Sequence, residues 1–365
     1  MSDFWTRAAD LRAEQQPLVS RFQAAFSTGI VVYGAGFVGT WAVQYLQGLG
    51  AKIVCVVDRN PAKWHTAIRG VPVVAPEDPA VAETGWVLVA ARHAAKAVVE
   101  QLTATGLTAL SFDAFFAVSR YPDILEINEA FLADELSRQT LGAVVLAWLS
   151  GSPAPCRDVQ APDQYFCLPG FADDDRHIFI DAGAYVGDTV EKFIWACHGA
   201  FKRIHAFEPG ERQFAALRRR TERLTAEWAL DDGQIALVNA GVAEASGRMA
   251  CVNVSGPAQS LNLVEAAADR DDLPTSAVYS LDDYLQGQPA SLIKADVEGL
   301  ELALLRGAAA TIRRCGPKMA LSVYHFPSDI FEIPAYVRSL DSSYRFALRH
   351  HSPLLMETVL YCWKE

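Results

Sequence analysis

The stretch from Ile178 to Thr189, Ile-Phe-Ile-Asp-Ala-Gly-Ala-Tyr-Val-Gly-Asp-Thr, constrains this chain more than any other. Ile178, Phe179 and Ile180 lead into Asp181. Gly183 and Gly187 then precede a helix-like segment from Asp188 to Ala196. Such a sequence is a buried parallel strand turning sharply into a helix, which brings backbone N–H groups close to a ligand. A second strand, Ile204 to Phe207, ends in Glu208-Pro209, and an acid at that tip is placed to accept both hydroxyls of a ribose. The first turn carries the acids Asp181 and Asp188 and no lysine, so it repels phosphate and suits a cation. The sulfonium and ammonium of S-adenosyl-L-methionine meet that requirement.

At 365 residues the chain has room for about two domains, and half of its residues are apolar, enough for real cores. A net charge of −11 argues against a dedicated nucleic-acid binder, which needs basic surface to neutralise phosphates. Arg218, Arg219 and Arg220 lie opposite Phe214, Leu217 and Leu224 on one helix and read as a solvated face. Seven dispersed cysteines without a Cys-x-x-Cys pair fit reduced thiols. Met1 to Ala13 is polar, without a visible signal peptide, and the longest apolar run, Leu141 to Leu149, is far shorter than the ~20 residues of a membrane span. The expectation is a cytoplasmic protein with no membrane or nucleic-acid partner; the oligomeric state, monomer or homo-oligomer, is open.

The predicted fold class is α/β, with two Rossmann-like three-layer domains. Residues 1–118 form an N-terminal nucleotide-binding-type domain with a leading helix (about Phe4 to Phe26), residues 119–163 a helical linker, and residues 164–365 the second domain. In the first, a strand (Gly29 to Tyr33) enters Gly34-Ala35-Gly36-Phe37-Val38-Gly39, a helix follows (Thr40 to Leu49), and a strand (Lys52 to Val57) closes on Asp58. Gly34, Gly36, Gly39 and Asp58 thus keep the order of a dinucleotide fingerprint and make a second candidate site, for a nucleotide or NAD. No Tyr-x-x-x-Lys follows it, which counts against redox work. Pro122 to Leu149 looks helical, and the proline-rich Gly151 to Pro162 marks a boundary. Beyond it, strands are expected at Ile178–Asp181, Ile204–Phe207, Ile235–Asn239, Leu292–Ala295 and Met319–Val323. An antiparallel pair, Tyr344–His350 and Thr358–Trp363, closes a mostly parallel seven-stranded sheet.

Ile293-Lys294-Ala295-Asp296-Val297-Glu298-Gly299-Leu300-Glu301 sits at the carboxyl end of the fourth strand, where open α/β sheets bind ligands. The helix dipole accounts for Glu301. It accounts poorly for Asp296, a strand-end acid facing the crevice, which is costly to desolvate without a partner or a job. The fifth strand leads to His325 at the same crevice. Asp296, His325, Lys294 and Glu298 are therefore the catalytic candidates, with Asp296 or His325 as proton acceptor. No metal is expected, because no third ligand stands at a suitable spacing beside Asp296 and Glu298.

From about Tyr165 to Trp363 the sequence resembles the FkbM family of S-adenosylmethionine-dependent O-methyltransferases. The resemblance rests on Asp181-Ala-Gly-Ala-Tyr-Val-Gly-Asp-Thr189, Ala206-Phe-Glu-Pro209, Ser280-Leu-Asp-Asp-Tyr284, Lys294-Ala-Asp-Val-Glu-Gly299 and His325. It implies a class I methyltransferase fold, with Asp181, Gly183 and Glu208 holding the cofactor, and hydroxyl acceptors on sugars or polyketide-type metabolites. The full candidate cofactor set is Asp181, Ala182, Gly183, Ala184, Tyr185, Gly187, Asp188, Thr189, Phe207, Glu208, Pro209, Asn239, Ala240, Gly241 and Asp296. The family commonly has asparagine where Tyr185 stands, and many members carry an acid just before the histidine, where Ser322, Val323 and Tyr324 stand here. Gln259, Ser260 and Asn262 are the candidate substrate contacts, in the stretch Val252 to Ser276. The expected activity is methyl transfer to a hydroxyl of a small molecule or glycan. The alternatives are a nucleotide- or NAD-dependent sugar-modifying oxidoreductase centred on Gly34 to Asp58, and a non-catalytic scaffold that only retains a cofactor pocket.

Overall fold

The computed structural model describes residues 3–253, 261–264 and 275–365. The chain divides into two compact units. One comprises Met1–Ala130, Asp134–Gln160 and Ser352–Met356, the other Phe131–Ala133, Ala161–His351 and Glu357–Glu365. Among the described residues no helix is long and apolar enough to cross a membrane.

The first unit carries strands β1 (Ile30–Tyr33), β2 (Ile53–Val57), β3 (Ala67–Ile68), β4 (Val71–Val74), β5 (Trp86–Val89) and β6 (Thr108–Ser111). Their order is β3-β4-β2-β1-β5-β6, with only β3 and β4 antiparallel. Val31, Val57, Val87 and Val89 are buried, the composition of strands covered on both faces. The helix after the glycine turn starts at Phe37, earlier than the Thr40 expected from the sequence. Gly39 lies in its first turn, where a Cβ would stand 1.7 Å from the Gly34 carbonyl oxygen, so only glycine permits this close seating. The single helical stretch expected over Pro122 to Leu149 is two helices, Tyr121–Ala130 and Glu135–Ser150. The break falls where the Asp134 carboxylate accepts the Ser137 N–H at 2.8 Å, a side-chain cap that starts the second helix. That helix is held to the leading helix, Asp3–Ala25, by Trp5 Nε1 donating to the Arg138 carbonyl at 2.9 Å and Gln15 Nε2 to that of Leu149 at 2.8 Å. It therefore belongs to the first unit's own packing.

The second unit contains β7 (Ile178–Ala182), β8 (Arg203–Phe207), β9 (Ile235–Val238), β10 (Gly241–Val242), β11 (Gly247–Asn253), β12 (Leu261–Val264), β13 (Thr275–Tyr279), β14 (Leu292–Ala295), β15 (Lys318–Ser322), β16 (Arg345–His350) and β17 (Thr358–Trp363). Seven of them form the main sheet in the order β16-β17-β15-β14-β7-β8-β9. The five-strand parallel run closed by an antiparallel pair is present as the sequence predicts. A four-stranded sheet, β10-β13-β11-β12, was not expected. Its strands are short, and polar residues interrupt them too often for a periodic signal.

Phe179, Phe193, Ile204, Leu217, Leu292 and Tyr361 belong to one buried cluster, with the Phe179 and Phe193 rings 4.5 Å apart. Each such phenylalanine contributes about 1.5–3 kcal/mol by leaving water. Within this core β7 and β14 are adjacent, with Asp181 opposite Lys294 and Ala182 opposite Ala295. The strand order therefore brings two separate sequence landmarks to the same sheet edge. On the helix Glu211–Glu227, Leu217 and Leu224 face inward and Arg218 and Arg219 are exposed, as the sequence indicates; Arg220 pairs with Glu191 at 3.4 Å.

Candidate active site

A cleft of about 270 Å³ opens at the carboxyl ends of β7, β8 and β14. Its walls include Gly183, Tyr185, Asp188, Thr189, Glu208, Pro209, Gly241, Lys294, Asp296 and Glu298 from the sequence-predicted set. Asp181, Ala182, Ala184, Gly187, Phe207, Asn239, Ala240 and His325 are not on the wall but in the elements that shape it. Gln164, Tyr165, Gln213, Tyr324 and Glu357 line the cleft without having been singled out in the sequence. Gln259 and Ser260 lie outside the described residues, and of Asn262 only the backbone, in β12, is described. Leu263 is the described wall residue from that stretch.

Gly183 makes the cleft. Its φ is +80°, and a Cβ there would stand 1.9 Å from the Asp296 carbonyl oxygen, so the ends of β7 and β14 meet only around a glycine. Gly187, also left-handed, starts the helix Asp188–Ala196, whose first turn carries Asp188 and Glu191 where the helix dipole favours acids.

Behind the glycine, Asp181 is fully buried and its Oδ1 lies 3.0 Å from Lys294 Nζ, itself buried. Lys294 Nζ also donates to the Gly183 carbonyl at 2.6 Å. Burial works against the ammonium, but Asp181 and Asp296 outweigh it and hold the Lys294 pKa above the ordinary lysine value. Lys294 thus pairs with Asp181, and it fixes the turn on which the cleft is built.

Glu208 is 6% exposed and has both oxygens engaged: Oε2 accepts the Tyr185 N–H at 2.9 Å and Oε1 the Gly210 N–H at 2.8 Å. Asn239 Nδ2 donates to the Glu208 carbonyl at 2.9 Å, a supporting role. Burial pushes the Glu208 carboxyl up from 4.5 to about 7, against the two N–H donors and Lys294. A raised carboxyl stabilises the fold while protonated: that contribution is complete below pH 4.5 and lost as pH rises through about 7. Glu208→Gln removes the titration. Its stability relative to wild type is expected to rise by about 3 kcal/mol between pH 5 and pH 8, from 1.36 kcal/mol per pKa unit. Urea unfolding at both pH values checks this, and a pH-independent difference contradicts it.

The third landmark is a hydrogen-bonded knot. Asp296 Oδ2 accepts from the Tyr165 hydroxyl at 2.8 Å, and Oδ1 from the Tyr324 hydroxyl at 3.1 Å. Burial would raise the Asp296 carboxyl, but Lys294, His325 and the two hydroxyls outweigh it and hold it below the usual value. His325 is 5% exposed, with Nδ1 3.0 Å from Glu301 Oε1 and Nε2 3.6 Å from Asp296 Oδ1 and 3.5 Å from Glu298 Oε2. Burial alone would lower its pKa; Glu301, Asp296 and Glu298 override that and push it up to about 10. With its proton held by three carboxylates, the imidazole is a poor proton acceptor for a substrate hydroxyl, so between the two acceptors read from the sequence the electrostatics favour Asp296.

Tyr165 (φ +74°), Tyr185 (φ +47°), Glu298 (φ +55°) and Glu357 (φ +68°) all line the cleft in the left-handed region, which non-glycine residues rarely adopt. Strain of this kind, costing of order 1–3 kcal/mol per residue, collects at functional sites. At Tyr185 the conformation is one that asparagine would tolerate better.

The Ser280-to-Tyr284 motif is structural. The Ser280 hydroxyl accepts the Asp283 N–H at 3.1 Å. Asp282 accepts the N–H groups of Ala310 and Thr311 at 2.9 and 2.8 Å, and Tyr284 bonds His205 at 3.0 Å. In the first unit, Gly34, Gly36, Gly39 and Asp58 do come together. Asp58 Oδ2 accepts the Ala35 N–H at 2.9 Å and pairs with Lys63 at 3.1 Å, while Oδ1 accepts the Asn60 N–H at 2.8 Å. Its carboxylate is therefore committed to the turn itself.

The strand order and the crevice at the β7–β14 switch define a methyltransferase-like α/β fold. Residues 181–346 match the family model described as Methyltransferase FkbM domain. Among solved structures, methyltransferase FkbM from Methylobacillus flagellatus KT is similar over 99% of this chain and 99% of that one, with 22% identity and a TM-score of 0.61; this likeness concerns the fold. An rRNA methylase from Streptococcus thermophilus shares 16% identity over 53% of this chain and 89% of its own, with a TM-score of 0.33. Aeropyrum pernix fibrillarin, solved with natively bound S-adenosyl-L-methionine, shares 12% identity over 53% and 70%, with a TM-score of 0.31. No curated protein matches the sequence.

Proposed function

We propose that this chain is an S-adenosyl-L-methionine-dependent O-methyltransferase acting on a hydroxyl of a sugar-containing or other small-molecule metabolite. One observation carries the reading. Among the described residues the cleft presents the carboxylates of Asp188, Glu208, Asp296, Glu298 and Glu357 against the ammonium of Lys294 alone, an excess that suits a cationic ligand and disfavours a diphosphate.

Glu208, at the tip of β8, would hold the ribose hydroxyls through the lone pairs left free by its two backbone donors. Asp188 and the Gly183 turn would hold the amino-acid end, with Tyr185 at the mouth. When bound, the cofactor supplies an electrophilic methyl group on a positively charged sulfur. The chain's own part is positional and electrostatic. Tyr165 and Tyr324 fix the Asp296 carboxylate, Lys294 and Gly183 fix the strand ends, and the cleft orients the acceptor oxygen, an arrangement that supplies much of the acceleration in such transfers. Asp296 would take the hydroxyl proton as the acceptor oxygen bonds the methyl carbon and the carbon–sulfur bond breaks, the neutral thioether leaving. A carboxylate is a weak base for an alcohol, so the proton moves late and in concert.

The test is transfer of a labelled methyl group into fractionated host metabolites and glycans, with mass analysis of the product. A product methylated on oxygen is expected. Tight cofactor binding without transfer to any pool would favour the scaffold reading, and NAD binding lost in Asp58→Ala the oxidoreductase. We assign no nucleotide to the first unit: beyond two backbone donors like those of Glu208, the Asp58 carboxylate is also paired with the Lys63 ammonium.

A further inference from the structure

We propose that Asp296, Glu301 and His325 form a divalent-cation site beside the cleft, with Glu298 as a fourth, more exposed donor. The ion would bind the acceptor hydroxyl and make it more acidic. That use of the ion rests on the methyltransferase reading, but its binding does not.

The geometry comes from three separate elements. Asp296 follows β14, Glu301 opens the helix Glu301–Gly307, and His325 lies just after β15. Each offers a ligand atom within 4.8 Å of the others. Donors bound to one ion at about 2.1 Å lie roughly 3 to 4 Å apart, so only a small inward movement is needed. His325 Nε2 stands 3.6 Å from Asp296 Oδ1 and 3.5 Å from Glu298 Oε2. Those gaps exceed a normal N–H···O hydrogen bond of about 2.9 Å but match two ligands sharing a cation.

Glu301 supplies a second, independent sign. It is 1% exposed, and its Oε1 accepts the Val297 N–H at 2.8 Å, but its Oε2 has no hydrogen-bond partner among the described residues. A buried carboxylate oxygen without a partner is costly and calls for one. The same carboxylates that hold a proton on His325 would hold a cation in its place, the imidazole releasing its proton as the ion binds. The Tyr165 and Tyr324 hydroxyls fix Asp296, the kind of outer contact that orients ligands. An oxygen-rich set with one imidazole suits Mg²⁺ or Mn²⁺. The sequence conceals the site because the three donors come together only across two strands.

The experiment is an electron paramagnetic resonance titration of the full chain with Mn²⁺ alone, at neutral pH, with and without S-adenosylhomocysteine. One bound Mn²⁺ per chain is expected, with a Kd of about 10 μM or tighter, and with spin-echo modulation from a directly bound imidazole nitrogen. Binding should weaken at least about tenfold in His325→Gln and in Glu301→Gln, since loss of even an outer-shell partner of a ligand costs about that much. Should those variants fail to fold, the nitrogen modulation of the wild type decides, with Glu298→Gln as a milder probe. The proposal is overturned by a spectrum of free Mn²⁺ only, by bound Mn²⁺ without imidazole coupling, or by binding that the variants leave unchanged. Calorimetry with S-adenosylhomocysteine in chelator reads the cofactor site separately, so failure of the ion and failure of the methyltransferase reading are told apart.

Discussion

Lys294→Met is expected to destabilise the second unit by about 3–5 kcal/mol, the cost of leaving one member of a buried ion pair uncompensated. The expectation follows from the position of Asp181, fully buried at the end of β7 with Lys294 Nζ at 3.0 Å. Without the ammonium, the carboxylate must be protonated or hydrated, and the Gly183 carbonyl loses a donor at 2.6 Å. Because the pair itself contributes little beyond an apolar replacement, Asp181→Asn combined with Lys294→Met should recover most of the loss. Thermal unfolding reads both: the single variant melts lower by roughly 10 °C, the double much closer to wild type. A single variant within about 1 kcal/mol of wild type would falsify the structural role given to Lys294.

Asp296→Asn is expected to lower turnover by about 10² to 10⁴, the range for loss of a positioned proton acceptor. The amide keeps the shape, and its oxygen still accepts one of the two tyrosine hydroxyls, so the protein should fold. The KM for cofactor should move far less than kcat, because Asp296 acts on the acceptor's proton. Tyr324→Phe, which removes a 3.1 Å bond to the same carboxylate, should cost less than Asp296→Asn and more than nothing. Near-normal kcat in Asp296→Asn contradicts the proposed role.

The main sheet was legible because its strands are mostly apolar runs, several of them closing on an acid or a glycine turn. Ile178–Ala182, Arg203–Phe207 and Leu292–Ala295 could be placed nearly to the residue. β10 to β13 were not, because two-to-seven-residue strands with polar interruptions carry no usable period. In the cleft, residues at strand ends were found, since a charged side chain closing a buried run stands out. Tyr165, upstream of β7, and Glu357, in the turn between β16 and β17, were not. They reach the cleft through tertiary folding and left-handed backbone, and a single sequence encodes neither locally. The same limit hid the approach of Glu301 and His325. Glu301 looked like a favourable acid at a helix start, yet it also lies against the imidazole.

The central claim is that the acid-lined notch beside Gly183 receives a cationic nucleoside whose ribose rests on Glu208. The direct measurement is calorimetric titration with S-adenosyl-L-methionine and S-adenosylhomocysteine, on the wild type and on Glu208→Ala. Micromolar binding to the wild type is predicted, weakened in the variant by about 2–3 kcal/mol for hydrogen bonds to a charged group, or roughly 30-fold to 150-fold. Absence of binding to the folded wild type, or equal affinity in the two proteins, contradicts the account.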